Sequence, residues 1–322
     1  MLCGGGHQYS TLLGRYQALI DQGKQPDLLI ASCGGSIIAN LICSISDPQQ
    51  RLDWLSSKEM YRFWQSQIPG RGNQLHKVLL AALNRKLNRH TTRYIPDIFS
   101  TWLFDFEQPF PALPQRLPNA PDTLIIGTQV NYSEKDVGLA SKKFVLTEAL
   151  FSETLFCNER IGGLLRNEHA AMSDYSNKIS TDLVIKHSVS ELAAMRISVA
   201  DCYYYQPVEM NGKQYIGGLI NLFPIELAKR CAVEVISERK SRFDRMFAAP
   251  AIQHVFGFDP QHRLDQYHDN DNVTWLAKIP TTGNTSIRKK INAFKNQLQL
   301  SVGSYDEFKQ QVIEQYQAGY RA

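Results

Sequence analysis

The stretch that decides the fold is DLLIASCGGSIIANLI, residues 27–42. An apolar run at 28–31 is followed by a turn of small residues, and a second apolar run follows the turn. This pattern is typical of a buried strand that turns sharply into a helix. Cys33 stands at the tip of the turn, before Gly34 and Gly35, where the N–H groups of a helix N-terminus are unpaired. We therefore predict that Cys33 is displayed at the start of a helix.

The residues before this stretch repeat the same alternation. Residues 1–3 are short and apolar, and Gly4, Gly5 and Gly6 form a turn. Residues 7–22 have apolar positions at helical spacing, and Gly23 is a natural helix C-cap. A strand, a helix and a second strand in this order predict a parallel pair of strands in an α/β layered sheet.

The whole chain, residues 1–322, is assigned to one domain with an insertion at 47–121. The insertion has helical patterns at 52–67 and 75–89 and a proline-rich end at 108–121. We interpret it as a helical cap packed over the core. Strands are predicted at 123–131, at 143–150, on both sides of a hairpin turn at Asn211-Gly212, and at 273–280. A final amphipathic helix is predicted at 304–320.

Composition narrows the class of protein. The 322 residues are 43% hydrophobic and 20% charged, and the net charge is only +4. No basic block stands out, and IRKKINAFK at 287–295 is interpreted as the solvated face of a helix, so no nucleic-acid partner is predicted. Residues 4–6 lack the Gly-x-Gly-x-x-Gly spacing, so no dinucleotide cofactor is predicted.

The cysteines and the termini set further expectations. The six cysteines show no metal-ligand spacing, so no metal is predicted, and reduced thiols in a cytoplasmic protein are expected. The N-terminus leaves no room for a signal peptide, and no apolar run is long enough to span a bilayer. Peripheral contact with a membrane and the oligomeric state are left open.

Two segments resemble the patatin-like phospholipase family. Residues 3–42 match its opening, with Gly4, Gly5, Gly6 and Gly35 in register. Residues 196–228 look like its second motif, through Pro207-Val208, the hairpin and Gly217-Gly218. The resemblance implies a three-layer α/β fold with a mostly parallel central sheet, helices on both faces and a helical insertion.

The resemblance also implies a site, and this chain departs from it. In the family a serine at the tip of the strand–turn–helix segment, here called the elbow (residues 31–35 of this chain), attacks an acyl carbonyl. An Asp before two glycines is its base, and the glycine turn stabilises the oxyanion. Here Cys33 replaces the serine, Ile216 stands where the Asp is expected before Gly217 and Gly218, and His7 follows the glycine turn.

Two hypotheses account for these changes. In the first, Cys33 is a nucleophile that the helix N-terminus turns partly into a thiolate. His7 is then the best alternative base, and Asp201 and Glu209 are weaker candidates.

The first hypothesis also assigns an oxyanion hole and substrates. The oxyanion hole would comprise Gly4, Gly5, Gly6 and Gly34. The substrate would be an acyl ester or acyl thioester of a lipid, of acyl-CoA or of an acyl carrier protein, and slow attack by water would favour acyl transfer over hydrolysis.

In the second hypothesis the site is inactive. Cys33 is then a packed isostere of serine, Ile216 fills the vacated space, and the protein is an acyl-binding or protein-interaction module.

Overall fold

The structure, a computed structural model, describes residues 1–87, 94–139, 150–165, 183–221, 223–243, 245, 248–256, 259–268, 273–279 and 286–322. The strands are β1 (Leu2–Cys3), β2 (Leu28–Ser32), β3 (Gln67–Pro69), β4 (Phe104–Phe106), β5 (Asp122–Val130), β6 (Phe151–Cys157), β7 (Leu183–Lys186), β8 (Val208–Met210), β9 (Lys213–Gly217), β10 (Ile236–Glu238), β11 (Thr274–Leu276), β12 (Ile287–Asn292) and β13 (Gln297–Val302). The helices are α1 (Ser10–Asp21), α2 (Gly34–Ser44), α3 (Pro48–Leu55), α4 (Lys58–Gln65), α5 (Leu75–Leu87), α6 (Glu159–Leu165), α7 (Glu191–Ser198), α8 (Ile225–Cys231), α9 (Ala248–Phe256), α10 (Pro260–His268) and α11 (Tyr305–Arg321).

A central sheet carries the site. Its strand path is β1-β2-β5-β6-β7, and the pairs β1–β2, β2–β5 and β6–β7 are parallel. Strand β5 is long enough to pair with β2 along its first half and with β9 along its second half. As a result, the end of β2 and the end of β9 meet at the middle of β5. The α/β class with a central sheet and surrounding helices is confirmed.

Helix α2 lies in the core directly after the elbow. Every residue of α2 is buried, including Ile38, Leu41 and Ile42. A helix that is apolar on all sides is stable only when it is covered on all sides. The helix starts at Gly34 because the chain turns there under β1, so its N-terminus is fixed beneath the glycine turn.

The last helix packs against the first one through two glycines. A Cβ atom at Gly14 would lie 1.9 Å from the Tyr316 carbonyl oxygen, and one at Gly319 would lie 2.0 Å from the Thr11 carbonyl oxygen. Any larger side chain at either position would push α1 and α11 apart, since such distances are far below van der Waals contact.

Several predicted elements are confirmed. Strand β5 overlaps the strand predicted at 123–131, and β11 lies within the strand predicted at 273–280. Asn211 and Gly212 form the turn of the β8–β9 hairpin, with φ values of 52° and 70°. These positive values are typical of a two-residue hairpin turn. Helix α11 begins after Ser304, which forms a capping box with Glu307. The predicted strand at 143–150 falls almost entirely outside the described residues.

Two predictions differ from the structure. The helix expected from residue 7 begins at Ser10, after a short 3-10 turn at Gly6–Gln8. The helix expected at 287–295 is wrong: β12 and β13 form an antiparallel hairpin there. The predicted solvated face does match the exposure of Ile291, which is 63% exposed, whereas Ile287 is buried.

Within the predicted insertion lie α3, α4, β3, α5 and β4. Across the described part of the chain, we find no helix that combines the length and apolarity needed to cross a membrane. The same residues contain no cluster of three His, Cys, Asp or Glu side chains able to hold a metal ion.

Candidate functional site

Cys33 sits in a strained turn between β2 and α2. Its φ and ψ are 51° and −130°, values that L-residues rarely adopt. The turn is held tightly against β1, because a Cβ atom at Gly35 would lie 1.7 Å from the Leu2 carbonyl oxygen. Glycine is therefore required at position 35, and the strained turn directs the Cys33 side chain toward Asp201, at the walls of two cavities.

The glycine turn lies over the elbow. Gly4, Gly5 and Gly6 have φ values of 69°, 105° and 49°. The Gly35 N–H donates to the Gly4 carbonyl at 3.0 Å, which joins the turn to the start of α2. This hydrogen bond fixes the distance between the glycine turn and the start of α2, the two backbone segments that border Cys33.

The N–H groups of this region face in different directions. The backbone N–H groups of Gly6 and Gly34 act on the Cys33 thiol by lowering its pKa. The Gly4 N–H donates instead to the Ser32 carbonyl at 3.1 Å, as an extension of the sheet. Gly4 therefore differs from the prediction: its N–H is engaged and does not face the site. Gly6 and Gly34 remain as the candidate pair of donors beside the thiol.

The carboxylate at the site comes from Asp201. The Cys33 thiol donates to Asp201 Oδ2 over an Sγ–Oδ2 distance of 3.6 Å. Asp201 follows α7 and lies beside Gly217, where a Cβ atom would be 2.6 Å from Asp201 Oδ1. The absence of a side chain at Gly217 thus makes room for the carboxylate. Oδ1 itself is buried and has no hydrogen-bond partner among the described residues.

Burial shifts the acidity of both groups. Desolvation raises the pKa of Asp201 from 3.8 to about 7, and the hydrogen bond from Cys33 opposes this rise. Burial and the neighbouring carboxylate raise the pKa of the Cys33 thiol well above its ordinary value, against the N–H groups of Gly34 and Gly6. The thiolate expected from the helix N-terminus is therefore not the resting form. Desolvation outweighs the effect of the two N–H groups, so the site holds a protonated thiol next to the Asp201 carboxyl group.

Ser198 ties the elbow to the central strand. Its hydroxyl accepts from the Cys33 N–H at 3.0 Å and donates to the Ile126 carbonyl at 2.7 Å. Ser198 is fully buried on the last turn of α7. One residue thus links α7, β5 and the strained backbone, and it holds Asp201, three residues later, at a fixed distance from Cys33.

The His7 ring packs against Trp64 of the predicted insertion. Its imidazole packs edge-on against Trp64 at 5.1 Å between ring centroids, and its Nδ1 is buried without a partner. No hydrogen bond joins its ring to Cys33 within the described residues. Burial, together with the charge of Lys289, lowers the pKa of His7 to about 4. The ring is therefore neutral near pH 7, and it provides no charge that could stabilise a thiolate.

The other predicted positions fall away from the thiol. Glu209 is exposed on β8 and accepts from Gln214 at 3.3 Å. Ile216 is fully buried in the core and pairs with Thr128 across the sheet. Gly218 packs against Ile126, where a Cβ atom would be 2.7 Å from its Cγ2. Ile216 therefore occupies apolar space, and the carboxylate reaches the site from a different segment.

Two cavities meet at Cys33. The first, here called the aromatic cavity, measures about 650 Å³. Phe63, Trp64, Phe106 and Phe110 of the predicted insertion form one wall, and α7 forms another. The second cavity measures about 870 Å³ and lies between α5, α9 and the β12–β13 hairpin. Both volumes lie in the range of ligand pockets. An extended ligand could occupy both with its reactive atom at Cys33.

The sequence suggested Asp201 only as a weaker base candidate and did not single out Ser198, whereas both residues contact Cys33 in the structure. The signal was present, since both lie in the second motif segment, RISVAD, where serine and a carboxylate stand three residues apart. Both reach Cys33 because α7 ends close to the end of β9, which the sequence does not show.

A family model described as patatin-like phospholipase matches residues 1–229 of the chain. A search of curated proteins found no match. The matched region includes the glycine turn, the elbow, Ser198, Asp201 and Gly217, whereas the β12–β13 hairpin and α11 lie beyond it.

Proposed function

The chain belongs to the patatin-like phospholipase family, which supports acyl-hydrolase chemistry of the phospholipase type in general, and we propose that it acts through a Cys33 acyl-enzyme with Asp201 as the general base. The observation that carries this proposal is the hydrogen bond from Cys33 Sγ to Asp201 Oδ2, 3.6 Å long, at a strained turn. A thiol needs a base when its pKa is high, and a buried carboxylate with a pKa of about 7 is suited to accept a proton at neutral pH.

The first half of the reaction forms the acyl-enzyme. Asp201 takes the thiol proton while the sulfur attacks the carbonyl carbon of the acyl group. The carbonyl oxygen becomes an oxyanion and accepts hydrogen bonds from the N–H groups of Gly6 and Gly34, with the Gly5 N–H as a predicted third donor. Such donors commonly contribute several kcal/mol to lowering the barrier.

The second half releases the acyl group. The tetrahedral intermediate collapses, the bond to the leaving alcohol or thiol breaks, and Asp201 returns its proton to that leaving group. A thioester on Cys33 remains. Asp201 then removes a proton from a water molecule, whose oxygen attacks the thioester carbonyl carbon. The C–S bond breaks, the acyl group leaves as a carboxylic acid, and Asp201 returns the proton to the sulfur, which restores the thiol. Because the same carboxylate serves both halves, hydrolysis does not depend on a separate base, and transfer to another acceptor is the competing outcome.

The substrate is an acyl ester or acyl thioester of a lipid, acyl-CoA or an acyl carrier protein. The aromatic cavity, lined by Phe63, Trp64, Phe106 and Met195, suits an acyl chain next to the nucleophile.

The experiment that tests the proposal is detection of an acyl adduct by intact mass. The protein is incubated with a short-chain aryl thioester near pH 7.5, and the modified residue is mapped. We expect one adduct on Cys33, absent in Cys33→Ala and present in Cys231→Ala, which removes another partly accessible thiol. An adduct that persists in Cys33→Ala, or no adduct in the unmodified protein, would refute the acyl-enzyme and favour the inactive binding module.

A further inference from the structure

One wall of the aromatic cavity carries a single charge. Leu192, Met195, Arg196 and Val199 are spaced along one face of α7 and its C-terminal extension, and all four line the cavity. Three of them are apolar, which is the ordinary composition of a wall that contacts an acyl chain. Arg196 interrupts this face within one helical turn of Ser198.

The Arg196 guanidinium is not ion-paired among the described residues. Its Nη1 is buried without a hydrogen-bond partner, and no salt bridge involves it there. Its carbon Cζ lies 5.9 Å from the centroid of the Phe106 ring. The charge of Asp105 acts on Arg196 through space but without a direct contact, and Asp105 Oδ2 accepts from Trp102 Nε1 at 2.8 Å.

A partly buried guanidinium without an ion pair lowers the free energy of unfolding of the ligand-free protein. Removing a charged group from water without pairing it is unfavourable, and buried arginines are normally paired with carboxylates. The planar fork of a guanidinium binds a phosphate or carboxylate through two parallel hydrogen bonds. An unpaired Nη1 at a cavity wall is therefore arranged to be satisfied by a ligand.

A second cation reaches the same cavity. Lys289 of β12 lines both cavities, and its ammonium donates to the Tyr204 hydroxyl and lies 4.4 Å from the centroid of that ring. Neither contact neutralises its charge. Asp105 and the exposed Glu107 of the insertion also line the aromatic cavity, and so does Asp201 beside Cys33. The positive groups therefore lie on α7 and the hairpin, and the acidic groups lie on the insertion and next to the thiol.

We propose that the aromatic cavity recognises an amphipathic ligand whose phosphate or carboxylate pairs with Arg196, while its apolar chain lies among the aromatic side chains. This deepens the proposed function, on which it rests only for the statement that the ligand is the substrate of Cys33. The two anions share the same chemistry toward a guanidinium, and the experiment separates them.

The test measures equilibrium binding rather than turnover. Hexyl phosphate, hexanoate and the neutral 1-hexanol are titrated by calorimetry into the protein and into its Cys33→Ala variant, which removes any dependence on acylation. We expect at least one of the two anions to bind about tenfold or more tightly than hexanol, with a preference that weakens at high salt. The tighter of the two anions identifies the group.

The variants isolate Arg196. Arg196→Met should abolish the preference for the anion, and Arg196→Lys should reduce it several-fold because the fork is lost. Arg62→Met, which removes an exposed arginine of α4, should leave it unchanged. The melting temperature of Arg196→Met without ligand should equal or exceed that of the original protein, whereas an arginine with a structural role would lower it.

Binding of hexanol as tight as that of both anions, or an unchanged preference in Arg196→Met and Arg196→Lys, would overturn the inference. Failure of the acyl-enzyme experiment would not, because these titrations do not require a nucleophile.

Discussion

Replacing Asp201 with Asn should stabilise the fold at alkaline pH while it removes the base. Burial raises the pKa of Asp201 from 3.8 to about 7, so the folded protein disfavours a charge that the unfolded chain carries freely. Because the folded pKa is the higher one, the stabilising contribution of Asp201 is present below about pH 3.8 and is lost as pH rises through about 7. One pKa unit corresponds to about 1.4 kcal/mol, so the ionised side chain costs about 4 kcal/mol above pH 8.

The assay is urea unfolding of both proteins at about pH 5 and about pH 8. The stability of Asp201→Asn relative to the original protein should increase by about 2–3 kcal/mol between these two conditions. Groups that titrate in both proteins cancel in the difference. Glu134→Gln, which neutralises an exposed carboxylate, serves as the control and should show no such increase.

The same substitution should slow acylation of Cys33 by about a hundredfold or more. In the original protein the rate should rise about tenfold from about pH 6 to about pH 8, as the ionised fraction of Asp201 grows. A stability difference that does not change with pH would refute the raised pKa, and with it the assignment of Asp201 as a base tuned to neutral pH.

Three further substitutions follow from the contacts of the site and the helices. Ser198→Ala should lower the free energy of unfolding by about 1–3 kcal/mol, because it leaves the buried Cys33 N–H unpaired; urea unfolding measures this, and no loss would contradict the link. Gly319→Ala should lower the melting temperature by several degrees, since its Cβ would collide with the Thr11 carbonyl; scanning calorimetry checks it. His7→Ala should leave the pH midpoint of Cys33 alkylation unchanged, because the imidazole is already neutral there. Alkylation of Cys33 is followed across pH by mass spectrometry with the modified residue mapped. A midpoint that moves by one pH unit would show that His7 is a partner of the thiol.

The sequence predicted the elbow because all its determinants are adjacent in the chain. A buried strand, a small-residue turn and an apolar helix need no distant partner to be recognised, although the requirement for glycine at position 35 comes from the Leu2 carbonyl of β1. The position of Cys33 at the tip follows from that alone.

The base could not be assigned in the same way. Asp201 lies 168 positions from Cys33, and its contact depends on the end of α7 and on open space beside Gly217. The prediction of a helix at 287–295 was wrong for a related reason. Pairing with β13 determines the structure of these residues, and a nine-residue pattern does not reveal a strand partner. The chemistry of the thiol was also misjudged, because burial is a property of the whole fold.

Helix α11 packs next to the glycine turn, although the two segments are far apart in the chain. This helix packs on α1 through Gly319, and its Gln315 side chain donates to the His7 carbonyl at 3.3 Å, next to the glycine turn. The loop at residue 7 is thus held by a helix that lies 308 positions later in the chain. Contacts between such distant segments form late, so we expect nascent chains that lack residues 305–321 to be inert, and acyl chemistry to be withheld until that helix has docked.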